Sequence, residues 1–241
     1  MSLRHLAGRV WWYPHDPDLG AVCPLVGIVA GERGSVVVDA GNSPLVAHGV
    51  RAAMTAAGLP APRWLVYTHH HWDHTWGACA WGDVEIVGHE SAVSLLRVEA
   101  ERPWSHRYLR DEVSANPRLG PSFRARALAV PDWNGFRVVP PRRTFGTALT
   151  LPDGVELRHV GGRHAEDSVI VVDPASGVVF LGDCYFPPPL HLRRDDDTRD
   201  HAMVDSLLAG GHDWYVDSHS DPWTRAGFAE LAEELSQARP D

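Results

Sequence analysis

Residues 68–77 read Thr68-His69-His70-His71-Trp72-Asp73-His74-Thr75-Trp76-Gly77 and follow directly on the apolar run 64–67. In an extended or turning backbone, side chains two positions apart point the same way, so His69 and His71 are placed to share one metal ion. Asp73 and His74 then turn toward a second. Four ligand-type side chains crowd into six positions where an apolar strand ends. Without an ion to satisfy them, unpaired polar groups gathered there would cost free energy. Other histidines lack this crowding: His5, His15, His48, His106, His159 and His201 stand apart from it and read as surface or satisfied core residues.

The spacing His69-x-His71-x-Asp73-His74 resembles the H-x-H-x-D-H signature of the metallo-β-lactamase superfamily. Further segments continue the resemblance in the same order: His164 in GGRHAEDS, Asp183 in FLGDCYF and His219 in YVDSHSDP, each after an apolar run. The resemblance covers residues from about 20 to about 235. It implies an α/β fold, the four-layer αββα sandwich. It also implies that His69, His71 and His164 hold one ion, that Asp73, His74 and His219 hold a second, and that Asp183 bridges the two. The expected cofactor is two zinc ions, although nitrogen and oxygen donors also accept iron or manganese. Asp39, in Asp39-Ala40-Gly41 at a strand end, is expected either to support the metal site from behind or to cap the next helix.

The implied activity is hydrolysis. A hydroxide held between the two ions would attack an ester, thioester or lactone carbonyl, with Asp73 orienting it and carrying a proton to the leaving group. Tyr185 is a candidate hydrogen-bond donor to the oxyanion, or else a packing residue beside Phe186. Other readings are an amide hydrolase of the true metallo-β-lactamase type, which the stretch 164–168 also resembles, a single-iron oxygenase of the persulfide dioxygenase type, and a non-catalytic metal-binding member. The pair Asp183-Cys184 permits two alignments, because some β-lactamases place a thiolate ligand near this position. His74 directly beside Asp73 favours Asp183, since a carboxylate can bridge two hard ions while a thiolate suits a soft one.

Composition narrows the partners. A formal net charge of -9 over 241 residues, with Arg142-Arg143 too small to form a basic block, excludes a nucleic-acid surface, which needs concentrated positive charge. The acidic run 195–197 follows Arg193 and Arg194 and reads as a solvated loop. Cys23, Cys79 and Cys184 are too few and too irregularly spaced for a disulfide framework. No apolar run approaches the roughly 20 residues that span a bilayer, and the N-terminus carries no charged-then-apolar leader. The expectation is a cytoplasmic protein of one domain over residues 1–241, acting on a small molecule.

Along the chain, the runs 25–30 and 35–39 predict a hairpin around Gly31-Glu32-Arg33-Gly34, and residues 44–57 a helix ended by Gly58-Leu59-Pro60. Residues 64–68 and 84–87 predict strands, 75–81 a short helix and 91–101 a longer one. The stretch from about 102 to 137 has four prolines and no clean period, and reads as an irregular insertion. Its Trp104, Tyr108, Phe123, Trp133 and Phe136 are expected either to line a pocket for an apolar or aromatic group or to form a satellite core. Regular strands resume at 148–151, 155–160, 169–172 and 178–181, followed by a helix at 200–209, a strand at 214–216 and a closing helix at 224–238. Strands alternating with helices predict a layered α/β sandwich.

Overall fold

Valine-rich runs of four or five residues, too short for helices and dense in β-branched side chains, make the strands of two sheets. A computed structural model describes residues 1–18, 20–189 and 191–237. The first sheet holds β1 (Arg4–Ala7), β2 (Val10–Tyr13), β3 (Val26–Val29), β4 (Ser35–Val38), β5 (Pro62–Val66), β6 (Glu85–His89) and β7 (Arg143–Phe145), side by side in chain order. The second holds β8 (Ala148–Thr150), β9 (Glu156–His159), β10 (Val169–Asp173), β11 (Val178–Gly182), β12 (Trp214–Asp217) and β13 (Trp223–Thr224), again in order across the sheet. Neighbours β1 to β4 pair antiparallel, whereas β4, β5, β6 and β7 run parallel.

Parallel neighbours need crossovers. The helix α1 (Pro44–Ala56) joins β4 to β5, the single turn α2 (Trp72–Thr75) follows β5, and α3 (Glu90–Ala100) follows β6. Two more helices, α4 (His106–Ala115) and α5 (Gly120–Ala129), lie between α3 and β7. In the second sheet α6 (His201–Ala209) connects the parallel pair β11 and β12, and α7 (Arg225–Gln237) follows β13. The closing helix was expected to reach Ala238, which lies outside the described residues.

Period-two alternation with both faces buried sorts the apolar side chains into three cores. Val37 faces α1 and α3 with Val50, Met54 and Leu96, while its neighbours Val36 and Val38 face the other sheet. Between the sheets they meet Val169, Val171, Val178 and Phe180. Ile170, Val172, Val179 and Leu181 point outward to Val204 on α6 and Phe228 on α7. The layers are therefore helix, sheet, sheet, helix. At the sheet interface a β-carbon on Gly27 would lie 2.3 Å from the Phe180 ring, so only glycine lets the two approach there.

The stretch 102–137 departs from the expectation of irregular chain, because it contains α4 and α5. Ser105 caps α4 by accepting from the Tyr108 amide at 3.1 Å, and Asn116 caps the turn that leads to α5. Of the residues in α4 only Leu109 is buried, and in α5 only Phe123 and Ala125. That is too sparse an apolar stripe for the 3.6-residue period to show in sequence.

The five aromatics form a satellite core. Trp104, Phe136 and Trp133 set their rings 4.7, 4.9 and 5.7 Å from that of Trp76, and Tyr108 and Phe123 pack on Trp104. Among the described residues no helix is long and apolar enough to cross a membrane.

Candidate metal centre

The ends of β4 and β5 lock together before any ligand is placed. Asp39, just after β4, takes the left-handed backbone with φ of 67°. Its Oδ1 accepts from the Thr68 amide at 2.8 Å, and its Oδ2 from the Thr68 hydroxyl at 2.9 Å. The Ala40 amide donates to the His74 carbonyl, and the Gly77 amide to the Gly41 carbonyl. A β-carbon at Gly77 would sit 2.1 Å from the Ala40 oxygen, so this glycine is required by close backbone approach. Capping of α1 belongs to Ser43, whose Oγ accepts from Val46. Asp39 is thus committed to the loop 68–77.

All seven sequence-selected ligands come together, in two groups. His69, His71 and His164 form one; Asp73, His74, Asp183 and His219 form the other; within each group the ligand atoms lie within 4.8 Å of one another. Side-chain partners decide which ring nitrogen faces inward. The Nδ1 of His74 donates to Asp39 Oδ2 at 2.8 Å, leaving Nε2 buried without a partner. The Nδ1 of His164 donates to the Pro187 carbonyl at 2.9 Å, which turns Nε2 inward to within 2.9 Å of His71 Nδ1. The Nε2 of His69 is also buried and unpartnered, its Nδ1 standing 3.1 Å from the Thr68 hydroxyl.

Asp183 joins the two groups. Its Oδ2 lies 3.5 Å from His164 Nε2, 3.6 Å from His74 Nε2 and 3.2 Å from His219 Nε2, and its Oδ1 is buried with no hydrogen bond. Buried nitrogens and a carboxylate oxygen converging without donors are what a cation site requires. The donor set of imidazoles and carboxylates fits divalent ions.

Electrostatics separates the groups. Burial, joined by the charges of neighbouring histidines, pushes His69 and His71 well below the usual histidine pKa, and burial also lowers His164. Neutral imidazole is the form that binds metal. In the second group burial opposes charge but loses. Asp73, Asp39 and Asp183 raise His74 well above its usual value, and Asp183 with Asp73 raises His219 to about 10. Asp73 and Asp183 are held low, against burial, by His74 and His219. With no other cation, His74 and His219 retain protons as counter-charge to Asp73 and Asp183.

Tyr185 does not face this centre. It is 1 % exposed, its hydroxyl donates to Asp217 Oδ2 at 2.5 Å, and its ring packs against Phe186 and Phe228. That corrects the expectation of an oxyanion donor, because the hydroxyl's one proton is already given to a carboxylate beneath the site. Asp217 was missed in the sequence. It also accepts from the His219 amide at 3.0 Å and the Trp223 indole at 3.0 Å, and so fixes the turn that carries His219. Asp167, likewise missed, pairs with His70 Nδ1 at 2.7 Å. Cys184 points away from the ligands into the core with Val204 and Leu207.

A cavity of about 340 Å³ opens on both groups, its wall including Val22, Trp72, Pro121, Arg126 and His191. None of Trp104, Tyr108, Phe123, Trp133 or Phe136 lines it, so of the two expectations for these residues the satellite core holds at this site. The nearest aromatic surface is Trp72, from the metal loop itself.

Residues 23–224 match the family model of the metallo-beta-lactamase superfamily. The chain belongs to that superfamily. A curated superfamily relative is the acyl-coenzyme A thioesterase MBLAC2 of Gallus gallus, 32% identical over 169 residues, which are 66% of this chain and 56% of that protein. The match thus spans little more than half of the relative's length.

Solved metallo-β-lactamases share the fold. The enzyme from Hirschia baltica superposes with a TM-score of 0.65 at 19% identity, covering 100% of this chain and 98% of that one. The enzyme from Erythrobacter litoralis, with β-mercaptoethanol in its active site, gives 0.62 at 20% identity, covering 97% and 96%. The superfamily match and the thioesterase relative support a metal-dependent hydrolase, and the paired histidine and aspartate groups described above are this chain's candidate metal-binding set.

Proposed function

We propose that this chain is a dinuclear hydrolase of thioesters or comparably activated esters and lactones, with zinc as the resident metal. One observation carries the reading: Asp183 Oδ2 faces His164 of the first group and His74 and His219 of the second. A shared carboxylate oxygen is the arrangement that holds two ions together rather than one. The similarity to a thioesterase supports the choice of bond. The three free cysteines fit a reducing, cytoplasmic location.

His69, His71 and His164 would hold one ion, and Asp73, His74, Asp183 and His219 the other. Ions so placed supply positive charge that polarises a carbonyl and acidifies a water to a pKa of about 7. The rest is done by the chain. Asp73 lines the cavity with its Oδ2 3.4 Å from His74 Nε2 and 3.6 Å from His219 Nε2, which places a carboxylate to orient the attacking water. The same carboxylate can carry the proton to the departing sulfur or oxygen. Trp72, Val22 and Pro121 give an apolar wall that excludes bulk water from the acyl group. Asp39, through His74 and Thr68, and Asp217, through the His219 backbone, keep the ligands from turning.

Metal quantification on purified protein, combined with a panel of thioesters, lactones and β-lactams, tests the proposal. About two ions per chain and thioester turnover are expected. One ion with oxygen consumption would indicate the single-iron oxygenase, and turnover of β-lactams alone the amide hydrolase. No turnover by the two-ion protein would indicate a binding protein.

A further inference from the structure

Arg126, on α5, lines the metal-site cavity and the smaller cavity beside it, which it shares with His70, Glu99 and Leu192. Aromatic rings surround it: the guanidinium carbon lies 4.5 Å from the Phe123 centroid, 5.3 Å from Trp72, 5.4 Å from Trp76 and 5.5 Å from Trp104. Such rings stabilise a cation through their faces, but they accept nothing from in-plane N–H groups. Those donors lack partners. Among the described residues Arg126 makes no side-chain hydrogen bond and no salt bridge, and its buried Nε is unsatisfied. Glu99, the one carboxylate in the smaller cavity, is taken by Arg102 at 3.0 Å. Burial lowers the guanidinium pKa to about 10, which leaves it charged at neutral pH.

Arg193 adds a second guanidinium to the metal-site cavity, whose carboxylates are the candidate ligands Asp73 and Asp183. His191 and Arg193 line the same cavity, and His191 is driven toward its neutral form by burial and by Arg126, Arg118 and Arg102. A chain of formal charge -9 thus sets Arg126 and Arg193 in the lining of the cavity that holds its candidate metal ligands.

We infer that Arg126 is a binding residue for an anionic group of the substrate, a carboxylate or a phosphate, received by its unpaired N–H edge inside the metal-site cavity. That the anion belongs to a substrate rests on the hydrolase reading above; that Arg126 binds an anion does not. A planar guanidinium matches two oxygens of either group at once. Arg126 lines the same cavity as His71, Asp73 and Asp183, so an anion held at its N–H edge sits in the cavity of the candidate ligands, and the substrate carries its charge close to the bond that breaks.

Two readouts test this on metal-loaded protein. In the first, tryptophan fluorescence follows titration with succinate and with inorganic phosphate in wild type, Arg126→Met and Arg126→Lys, since three indoles contact the guanidinium. Charge-assisted hydrogen bonds lead us to expect Arg126→Met to weaken the tighter of the two ligands by about 10- to 100-fold, and Arg126→Lys by less. Tighter binding of succinate names a carboxylate, and of phosphate a phosphate. Equal affinity in wild type and Arg126→Met, or no binding to wild type, overturns the inference.

The second readout is kcat/KM for two thioesters that differ only in a terminal carboxylate or phosphate. The loss in Arg126→Met is expected to be about 10- to 100-fold greater on the charged member, whereas a purely structural role would lower both equally. If Arg126→Met does not fold, Arg126→Lys decides, and unchanged anion affinity in that variant overturns the inference. If wild type cleaves neither thioester, the hydrolase reading fails while the titration still decides Arg126.

Discussion

Asp183 and Cys184 are adjacent in sequence and opposite in environment. The carboxylate stands between the two ligand groups, with one oxygen buried and unpartnered, while the thiol packs under β11, where burial and the charge of Asp183 push its pKa far up. The thiol belongs to the apolar core there and to neither ligand group. Asp183→Ala should therefore lose about one ion per chain and most activity, and Cys184→Ser should keep both; elemental analysis of the two variants decides, and the opposite pattern would move the second site to the cysteine. Tyr185 offers a second pair. Its hydroxyl serves Asp217, so Tyr185→Phe should lower kcat no more than a few-fold. Asp217→Asn, which disturbs five donors around the His219 turn, should weaken retention of the second ion by about 10- to 100-fold, measured by competition with a chelator. A collapse of kcat in Tyr185→Phe with metal intact would restore the oxyanion role.

At the scale of elements, the segment carrying α4 and α5 is tied to the metal loop at its two ends through Trp76, which is 1 % exposed and covered by Trp104 before α4 and by Trp133 and Phe136 after α5. A loop grafted on for specificity would come away cleanly, but this hairpin should not. Deleting residues 103–136 is expected to bare Trp76 and Trp72 and to cost metal retention and melting temperature together; unchanged metal content with altered substrate preference would show the segment to be separable. Trp104→Ala, half-buried, should cost somewhat less than the about 3–5 kcal/mol typical of a fully buried aromatic, read by denaturant unfolding. The same hairpin marks where the sequence stopped being legible. Strands such as β4 and β10 announce themselves, since β-branched runs bounded by turns have few other solutions, and the seven candidate ligands stood out because each follows such a run. In α4 and α5 only Leu109, Phe123 and Ala125 are buried, too few for a local period to record. Asp217, Asp167 and Arg126 were missed for another reason. Asp167 is defined by His70, 97 positions away, and Arg126 by aromatic rings that only the fold assembles.

Across the whole molecule the site is a seam between the two sheets, because His69, His71, Asp73 and His74 follow β5 while His164, Asp183 and His219 follow β9, β11 and β12. Each ligand group draws on both sheets, so ions held there tie together layers otherwise joined by apolar packing. The pH dependence of that tie follows from the metal-free charges. His74 and His219 have raised folded pKa values, the latter to about 10. Their contribution is fully present below the unfolded value of about 6.5 and is lost as pH rises toward about 10. Asp73 and Asp183, held low, contribute above their unfolded values of about 3.9, and that contribution fades as pH falls. His69, His71 and His164, held neutral, act in the same direction, because below about 6.5 the unfolded chain takes up protons the folded chain refuses. Metal-free protein should thus be most stable near neutrality and weaken steadily into base. Ions compete with the protons on His74 and His219, so their stabilisation grows over the same range. Thermal melts of metal-free and metal-loaded protein between about pH 6.5 and 10 should show the gap in melting temperature widening with pH. A gap that stays constant or narrows would mean that the second group does not hold its protons in place of an ion.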